Sequence, residues 1–168
     1  MSESGNICVS CGLCCSGLMI GFVQLNKEEL PGLRELIDIE EMDETGLFLQ
    51  PCSKLGPQGC TIYTQRPVNC RLFNCKLLKS VQDNELSFEA AMKMLTQVRM
   101  KMRAIEAQIA TLPVQLKSRS FKFQMRELRK LLQEATPESP LSQGNLNLLS
   151  DIDEFNSLVA ATFGVSIY

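Results

Sequence analysis

Residues 8–15 read CVSCGLCC, so four of the eight cysteines in this chain lie in one short stretch. A thiolate is a natural ligand for a soft or borderline metal ion, and ligands two residues apart let one loop hold the ion from two sides. A second cluster of cysteines lies downstream, and no cysteine follows it: Cys52, Cys60, Cys70 and Cys75. The pattern predicts a protein that binds metal mainly through sulfur.

The adjacency of Cys14 and Cys15 indicates that the thiols of the first cluster serve different places. Neighbouring side chains on an extended chain point to opposite faces. On a helix, Cys8, Cys11 and Cys15 would share an arc of about 60°, and Cys14 would stand about 100° from Cys15. We therefore expect two sites, or one site and a spare thiol, in preference to a single centre made by the first cluster alone.

Composition limits both the class of protein and the chemistry. A chain of 168 residues with 45% hydrophobic content fits one domain, or a small metal-stapled unit beside a helical one. Histidine is absent, which excludes Ser-His-Asp and Cys-His catalysis and mixed cysteine and histidine zinc sites. The chain has no signal-peptide pattern and no stretch of transmembrane length, so we expect a cytoplasmic protein with no membrane partner. Thiols in a reducing compartment bind metal or react and do not usually form structural disulfides.

Charge is distributed unevenly along the chain. Residues 26–45 carry eight acidic and two basic side chains, a net charge of −6, whereas residues 93–130 carry ten basic and two acidic ones, a net of +8. Only Phe121 and Phe123 are aromatic among those bases, so nucleic acid is possible but not favoured. We expect a protein partner, or the acidic segment of the chain itself, to meet the basic stretch.

The first half of the chain predicts an irregular domain. Residues 18–25 and 46–50 are short apolar runs that favour strands, and Asn26 with Glu29 resembles a cap that opens a short helix between them. Residues 52–75 contain turn signals and little apolar periodicity, which predicts loops and short turns. We expect residues 1–80 to form a cysteine-rich domain with one or two short strands, stapled by metal.

The second half predicts helices. Apolar residues repeat at spacings of three and four from Ala91 to Leu112, and again from Phe121 to Ala135. A third helix can be capped by Asn145 or Ser150 and stopped by Gly164. Residues 81–168 are therefore predicted to form a helical hairpin or three-helix bundle, and the whole chain is predicted to be α+β, mostly α.

The order of cysteines and their neighbours resembles a known family. Residues 8–15 read CxxCGxCC, residues 51–55 read PCxxL, and residues 60–75 read CTIYxxRPxxCRxFxC. This arrangement looks like the CxxCxxCC (YkgJ-like) cysteine-cluster family, which is described as zinc- or iron-chelating, and the likeness covers roughly residues 8 to 78 with the helical half outside it. The resemblance implies metal or iron–sulfur chelation by all eight thiols: Cys8, Cys11, Cys14, Cys15, Cys52, Cys60, Cys70 and Cys75.

Two functions follow from chelation. The first is a zinc or iron centre, structural or redox, in a binding module whose helical bundle recruits a protein partner. The alternative is an iron–sulfur-dependent enzyme that transfers electrons or modifies a protein. The C-x2-C-x2-C opening favours iron–sulfur, whereas two sets of four thiolates favour zinc. Tyr63, Arg66 and Arg71 are candidates for groups that offset thiolate charge beside the metal.

Overall fold

The computed structural model describes residues 3–42, 44–136, 141 and 145–168, without the side chains of residues 3–6, 41, 42, 145 and 146. Most of the described chain is helical, and the predicted α+β class, mostly α, is confirmed. The helices are α1 (Glu3–Cys11), α2 (Leu30–Leu33), α3 (Val68–Leu72), α4 (Lys76–Gln82), α5 (Phe88–Ile109), α6 (Phe121–Gln133) and α7 (Asn145–Phe163). The strands are β1 (Phe22–Leu25), β2 (Glu40–Met42), β3 (Thr45–Leu49), β4 (Leu55–Gly56) and β5 (Gly59–Cys60).

The strands form two small antiparallel sheets. In the larger sheet β3 lies between β1 and β2, with Phe22 opposite Leu49. The predicted first strand is shorter than expected, because Leu18 and Met19 are buried in the helical core and only residues 22–25 pair. The smaller sheet is a hairpin of β4 and β5 within residues 52–75, where we expected only loops and turns. A strand of two residues is too short to show the alternation of apolar and polar residues from which strands are predicted.

The predicted cap between the strands is confirmed. Asn26 donates its backbone N–H to Oε2 of Glu29 at 3.1 Å, and a single 3-10 turn at Lys27–Glu29 leads into α2. Pro31 lies in the first turn of α2, where a proline costs no backbone hydrogen bond. This cap orients the connection between β1 and β2.

Three long helices form the second half. Ser87 caps α5 by accepting a hydrogen bond from the Ala90 backbone N–H at 3.2 Å. The helix α7 packs against both α5 and α6 and ends at Gly164, whose φ of +72° is the predicted left-handed stop. Because α7 begins at Asn145, Ser150 lies inside it and is not its cap. The predicted loop at residues 136–140 falls almost wholly outside the described residues. Within the described part of the chain, no helix is long and apolar enough to cross a membrane.

Two hydrophobic clusters hold these elements. The larger combines Ile7, Leu13 and Leu18 from the first cysteine segment with residues of α4, α5, α6 and α7, including Phe155. The smaller lies under the three-stranded sheet and α2. Each fully buried Leu, Ile or Phe contributes roughly 1.5–3 kcal/mol of transfer free energy. The first cysteine segment is therefore anchored on the helices, while the domain boundary at residue 80 stays a prediction.

Candidate metal centre

All eight cysteines line one cavity of about 80 Å³. Each is a free thiol, and each is partly buried. The rest of the lining is mainly apolar, with Ile7, Leu77 and Phe163 from the helical side and Val23 and Phe48 from the sheet. The fold therefore brings together, in a largely apolar cavity, thiols that are far apart in sequence.

The first cluster enters this cavity from the end of α1. Cys8 and Cys11 lie in α1, and the helix ends at Gly12, whose φ is +61°. That left-handed conformation suits glycine, because a Cβ there is disfavoured. The chain then turns sharply, with the Leu18 backbone N–H donating to the Leu13 carbonyl oxygen at 3.2 Å.

Electrostatic coupling divides the eight thiols into two sets of four. The Cys8 set comprises Cys8, Cys11, Cys14 and Cys75. Burial is the main cause of the raised pKa of the Cys14 thiol. Repulsion from the three other members and from adjacent Cys15 raises this pKa further. The Cys15 set comprises Cys15, Cys52, Cys60 and Cys70. Burial is the main cause of the raised pKa of Cys15, and the three downstream thiols of the set raise it further. Each set therefore combines cysteines from both sequence clusters.

Burial favours the protonated form of six of these thiols in the absence of a cation. It raises the pKa of Cys11 and of Cys15 to about 12 each, and that of Cys70 to about 11. Burial also raises the pKa of Cys8 and Cys52, with a repelling thiolate as a further cause in each case. A bound cation would reverse this balance, because it favours the thiolate over the thiol.

Two backbone N–H groups point at sulfur. Cys75 caps the start of α4, and its Sγ accepts from the Leu78 N–H at 3.4 Å. The Sγ of Cys52 accepts from the Lys54 N–H, also at 3.4 Å. Such bonds favour the thiolate form of a cysteine and hold its side chain in one orientation.

One of the two predicted arginines is at the cavity. The guanidinium of Arg66 lies 3.6 Å from the centroid of the Tyr63 ring, and its Nε donates to the Tyr63 carbonyl oxygen at 3.0 Å. Both residues line the cavity, and the charge of Arg66 lowers the pKa of Cys8, Cys15 and Cys70 against the effect of burial. Arg71 is exposed and does not line the cavity, so the expectation for Arg71 was wrong.

A third arginine supports the site and was not predicted. Arg99 on α5 donates from Nη2 to the carbonyl oxygens of Ser10 and Cys11, the latter at 2.7 Å. It therefore binds the C-terminal end of α1, where partial negative charge accumulates. Nothing in the local sequence could have indicated this contact, because it joins residues almost ninety positions apart.

The hairpin of β4 and β5 closes the other side. A Cβ on Gly59, whose φ is +104°, would lie 1.9 Å from the carbonyl oxygen of Val9. Only glycine allows this approach, which brings Cys60 beside α1. Nearby, the Cys52 backbone N–H donates to the Cys15 carbonyl oxygen at 2.8 Å.

The donor chemistry fits a thiophilic ion, although the side chains do not form a closed shell. Soft thiolates select zinc, copper(I) and iron–sulfur groups, and a set of four matches both zinc and iron–sulfur sites. Among the described residues, no group of three or more Cys, Asp or Glu side chains is arranged closely enough to hold an ion as they stand. Chelation would therefore draw the thiols of each set further together.

No curated protein and no solved structure matches the chain. A family model does match, over residues 7–95, which is more than half of the chain. The match continues through α4 into the first turns of α5, beyond the limit of residue 78 that the cysteine pattern suggested. The family is CxxCxxCC, described as "Putative zinc- or iron-chelating domain", and this chain belongs to it.

Proposed function

We propose that this protein chelates zinc or iron through cysteine thiolates in two centres, one formed by the Cys8 set and one by the Cys15 set. The observation that carries the proposal is that one largely apolar cavity is lined by all eight thiols and by only one arginine, Arg66. Buried thiols that repel one another are poorly placed for an inert structural role. They are well placed to share a cation.

Different residues of the chain have different roles in binding the metal. The eight thiols release their protons and supply the sulfur ligands. Arg66 and the backbone N–H groups of Lys54 and Leu78 offset the remaining negative charge. The apolar walls exclude water and so strengthen these electrostatic interactions. When bound, zinc would supply a rigid link between chain segments, and iron could also supply electron transfer.

The positions of the ligands favour a stapling role, in which the metal links separate segments of the chain. Cys52 and Cys60 lie in the turns and two-residue strands around β4 and β5, and Cys70 lies in the five-residue helix α3, a region whose own apolar burial is small. Metal bonds would tie this region to Cys15, in the segment that follows α1, and their free energy would count as folding free energy. The proposal places the protein in a reducing compartment such as the cytoplasm, where free thiols persist.

A redox enzyme is the second candidate, and the size of the cavity favours it. One water requires about 10–15 Å³ measured in the same way. A cavity of about 80 Å³ therefore has room for more than a bare ion. An iron–sulfur group would fit that space. Its function would be electron transfer or protein modification.

The partner is proposed to be a protein and not a nucleic acid. Several bases of residues 93–130 are already engaged within the fold: Lys101 with Glu154 at 3.3 Å, Arg129 with Asp153 at 3.7 Å, and Lys122 with the Ser166 carbonyl oxygen at 2.6 Å. Two of these contacts are ion pairs with acidic residues of α7. These ion pairs reduce the positive charge available for phosphate, on which nucleic-acid affinity depends.

Elemental analysis of protein purified without oxygen tests the proposal. We expect zinc or iron in stoichiometric amount. A colourless zinc-loaded protein would support the stapling role, and a brown protein containing iron and acid-labile sulfide would support the redox candidate. Protein that carries no metal, and gains none when Zn²⁺ or Fe²⁺ is added under reducing conditions, would overturn both.

A further inference from the structure

One buried polar atom beside the thiols has no partner. Gln50 is 3% exposed and lines the same cavity as the eight cysteines. Its side-chain oxygen, Oε1, accepts no hydrogen bond among the described residues. A buried carbonyl oxygen without a partner is uncommon and requires an explanation, because burial removes its bonds to water.

The position of Gln50 is fixed by the sheet and is not accidental. Gly46, Phe48 and Gln50 are buried while Thr45 and Leu49 are exposed, so Gln50 continues the inward face of β3. Its backbone N–H donates to the Gly21 carbonyl oxygen at 3.0 Å, which holds the residue in place after the strand has ended. An apolar side chain would satisfy this inward position without leaving an oxygen unsatisfied.

Gln50 lies on the side of the cavity formed by the Cys15 set. It precedes Cys52 by two residues, and its Cβ is 3.2 Å from where a Cβ on Gly17 would stand, two residues after Cys15. The hydrogen bond from Cys52 to Cys15 holds these two segments together at the same place. A group bound by the Cys15 set would therefore be the nearest candidate partner for the oxygen of Gln50.

We propose that Gln50 supplies an oxygen donor to the metal held by the Cys15 set, either by direct coordination through Oε1 or through one bound water. This inference rests on the proposed chelation and adds a ligand that is not a cysteine. An amide oxygen carries no net charge, so it adds a donor without adding to the repulsion among the thiolates. The orphaned oxygen of the metal-free protein would then gain its partner on loading.

The experiment measures Zn²⁺ affinity, by competition with a chromophoric chelator, and urea stability of the metal-free protein, using the full chain. The variants are Gln50→Leu, which removes the oxygen, and Gln50→Glu, which keeps one. The control is Gln124→Leu, which removes a partnered amide whose Nε2 donates to the Ser118 carbonyl oxygen at 2.9 Å, away from the cavity lining.

We expect Gln50→Leu to weaken Zn²⁺ binding roughly 10- to 100-fold, while the metal-free variant is at least as stable as the parent. Gln50→Glu should lose less affinity than Gln50→Leu, because it keeps an oxygen donor although its charge adds to the repulsion, and Gln124→Leu should lose stability without losing affinity. Visible spectra of the Co²⁺-loaded proteins separate the two modes. Direct coordination predicts ligand-field bands that change in Gln50→Leu, and a bound water predicts bands that do not.

Three results would overturn the inference while leaving chelation intact. They are unchanged Zn²⁺ affinity in Gln50→Leu, an equal loss of affinity in Gln50→Glu, and metal-free Gln50→Leu that is less stable than the parent or fails to fold. The last would show a purely structural side chain. A parent protein that binds no Zn²⁺ would instead remove the proposed function together with this inference.

Discussion

The backbone N–H of Cys52 donates a hydrogen bond of 2.8 Å to the carbonyl oxygen of Cys15. This bond ties the downstream cysteines to the last residue of the first cluster. Besides burial, Cys52, Cys60 and Cys70 raise the pKa of Cys15, whereas Cys8, Cys11 and Cys75, together with adjacent Cys15, raise the pKa of Cys14. Two adjacent residues thereby divide between two sets of thiols.

Replacing these two neighbours should give different losses of metal. Cys14→Ser should empty the Cys8 set and largely spare the Cys15 set, and Cys15→Ser should do the reverse, because serine is a poor neutral ligand. Metal content per chain, with a count of protected thiols, measures this. Loss of all metal from both variants would indicate a single coupled cluster instead.

The pH dependence of stability should have opposite signs in the metal-free and loaded proteins. The folded pKa of Cys15 is raised from 9.0 to about 12 and that of Cys70 to about 11, both chiefly by burial. Raised values stabilise the metal-free fold below pH 9, and this contribution is lost as the pH rises through the folded values. In the loaded protein protons compete with metal, so its stability should fall as the pH is lowered. Urea unfolding in reductant between pH 6 and 11 checks both slopes, and parallel slopes in the two forms would contradict the burial of these thiols.

Arg66 should matter to metal affinity and Arg71 should not. Arg66→Gln removes the charge that opposes thiolate repulsion at the cavity, and we expect metal affinity to fall roughly 10-fold. Arg71→Gln removes the same charge from an exposed position five residues away and serves as the matched control. Competition with a chelator measures both affinities. Equal effects would show that overall charge, and not the position of Arg66, is responsible.

Gly59 should be intolerant of any side chain. Gly59→Ala would force a Cβ to within 1.9 Å of the Val9 carbonyl oxygen and place alanine at a φ of +104°. We expect a loss of at least about 2 kcal/mol in the free energy of unfolding, from strain and overpacking together. Gly32→Ala is the control, because no atom lies within 4 Å of its added Cβ and alanine favours the helix α2. Urea denaturation measures the stability of both variants. Similar stabilities would contradict the prediction for Gly59.

Local patterns in the sequence predicted the three long helices α5, α6 and α7, but not α1, α3 or α4. Ser87 and Gly164 stand at the ends of α5 and α7 because capping and left-handed turns are properties of a few adjacent residues. The same holds for the cap formed by Asn26 and Glu29. Strands β2, β4 and β5 were missed, since a strand of two or three residues carries no detectable period.

The grouping of the thiols could not be predicted from spacing. Cys75 joins the first cluster because α4 packs against α1, and Cys15 leaves that cluster because its backbone binds Cys52. Both are long-range contacts decided by the core. Gln50 escaped notice for the same reason, since only the fold shows that it lines the thiol cavity and that its buried amide oxygen has no hydrogen-bond partner among the described residues.

The measurement that tests two four-thiolate centres most directly is ¹¹³Cd NMR of the cadmium-loaded protein, because Cd²⁺ is a soft ion that takes thiolate ligands and reports each site as a separate resonance. The account predicts two resonances in the region of sulfur-rich coordination. Cys75→Ser should remove or shift one of them, and Cys70→Ser should affect the other. A single resonance, or two resonances that both respond to either substitution, would contradict the division of the eight cysteines into these two sets.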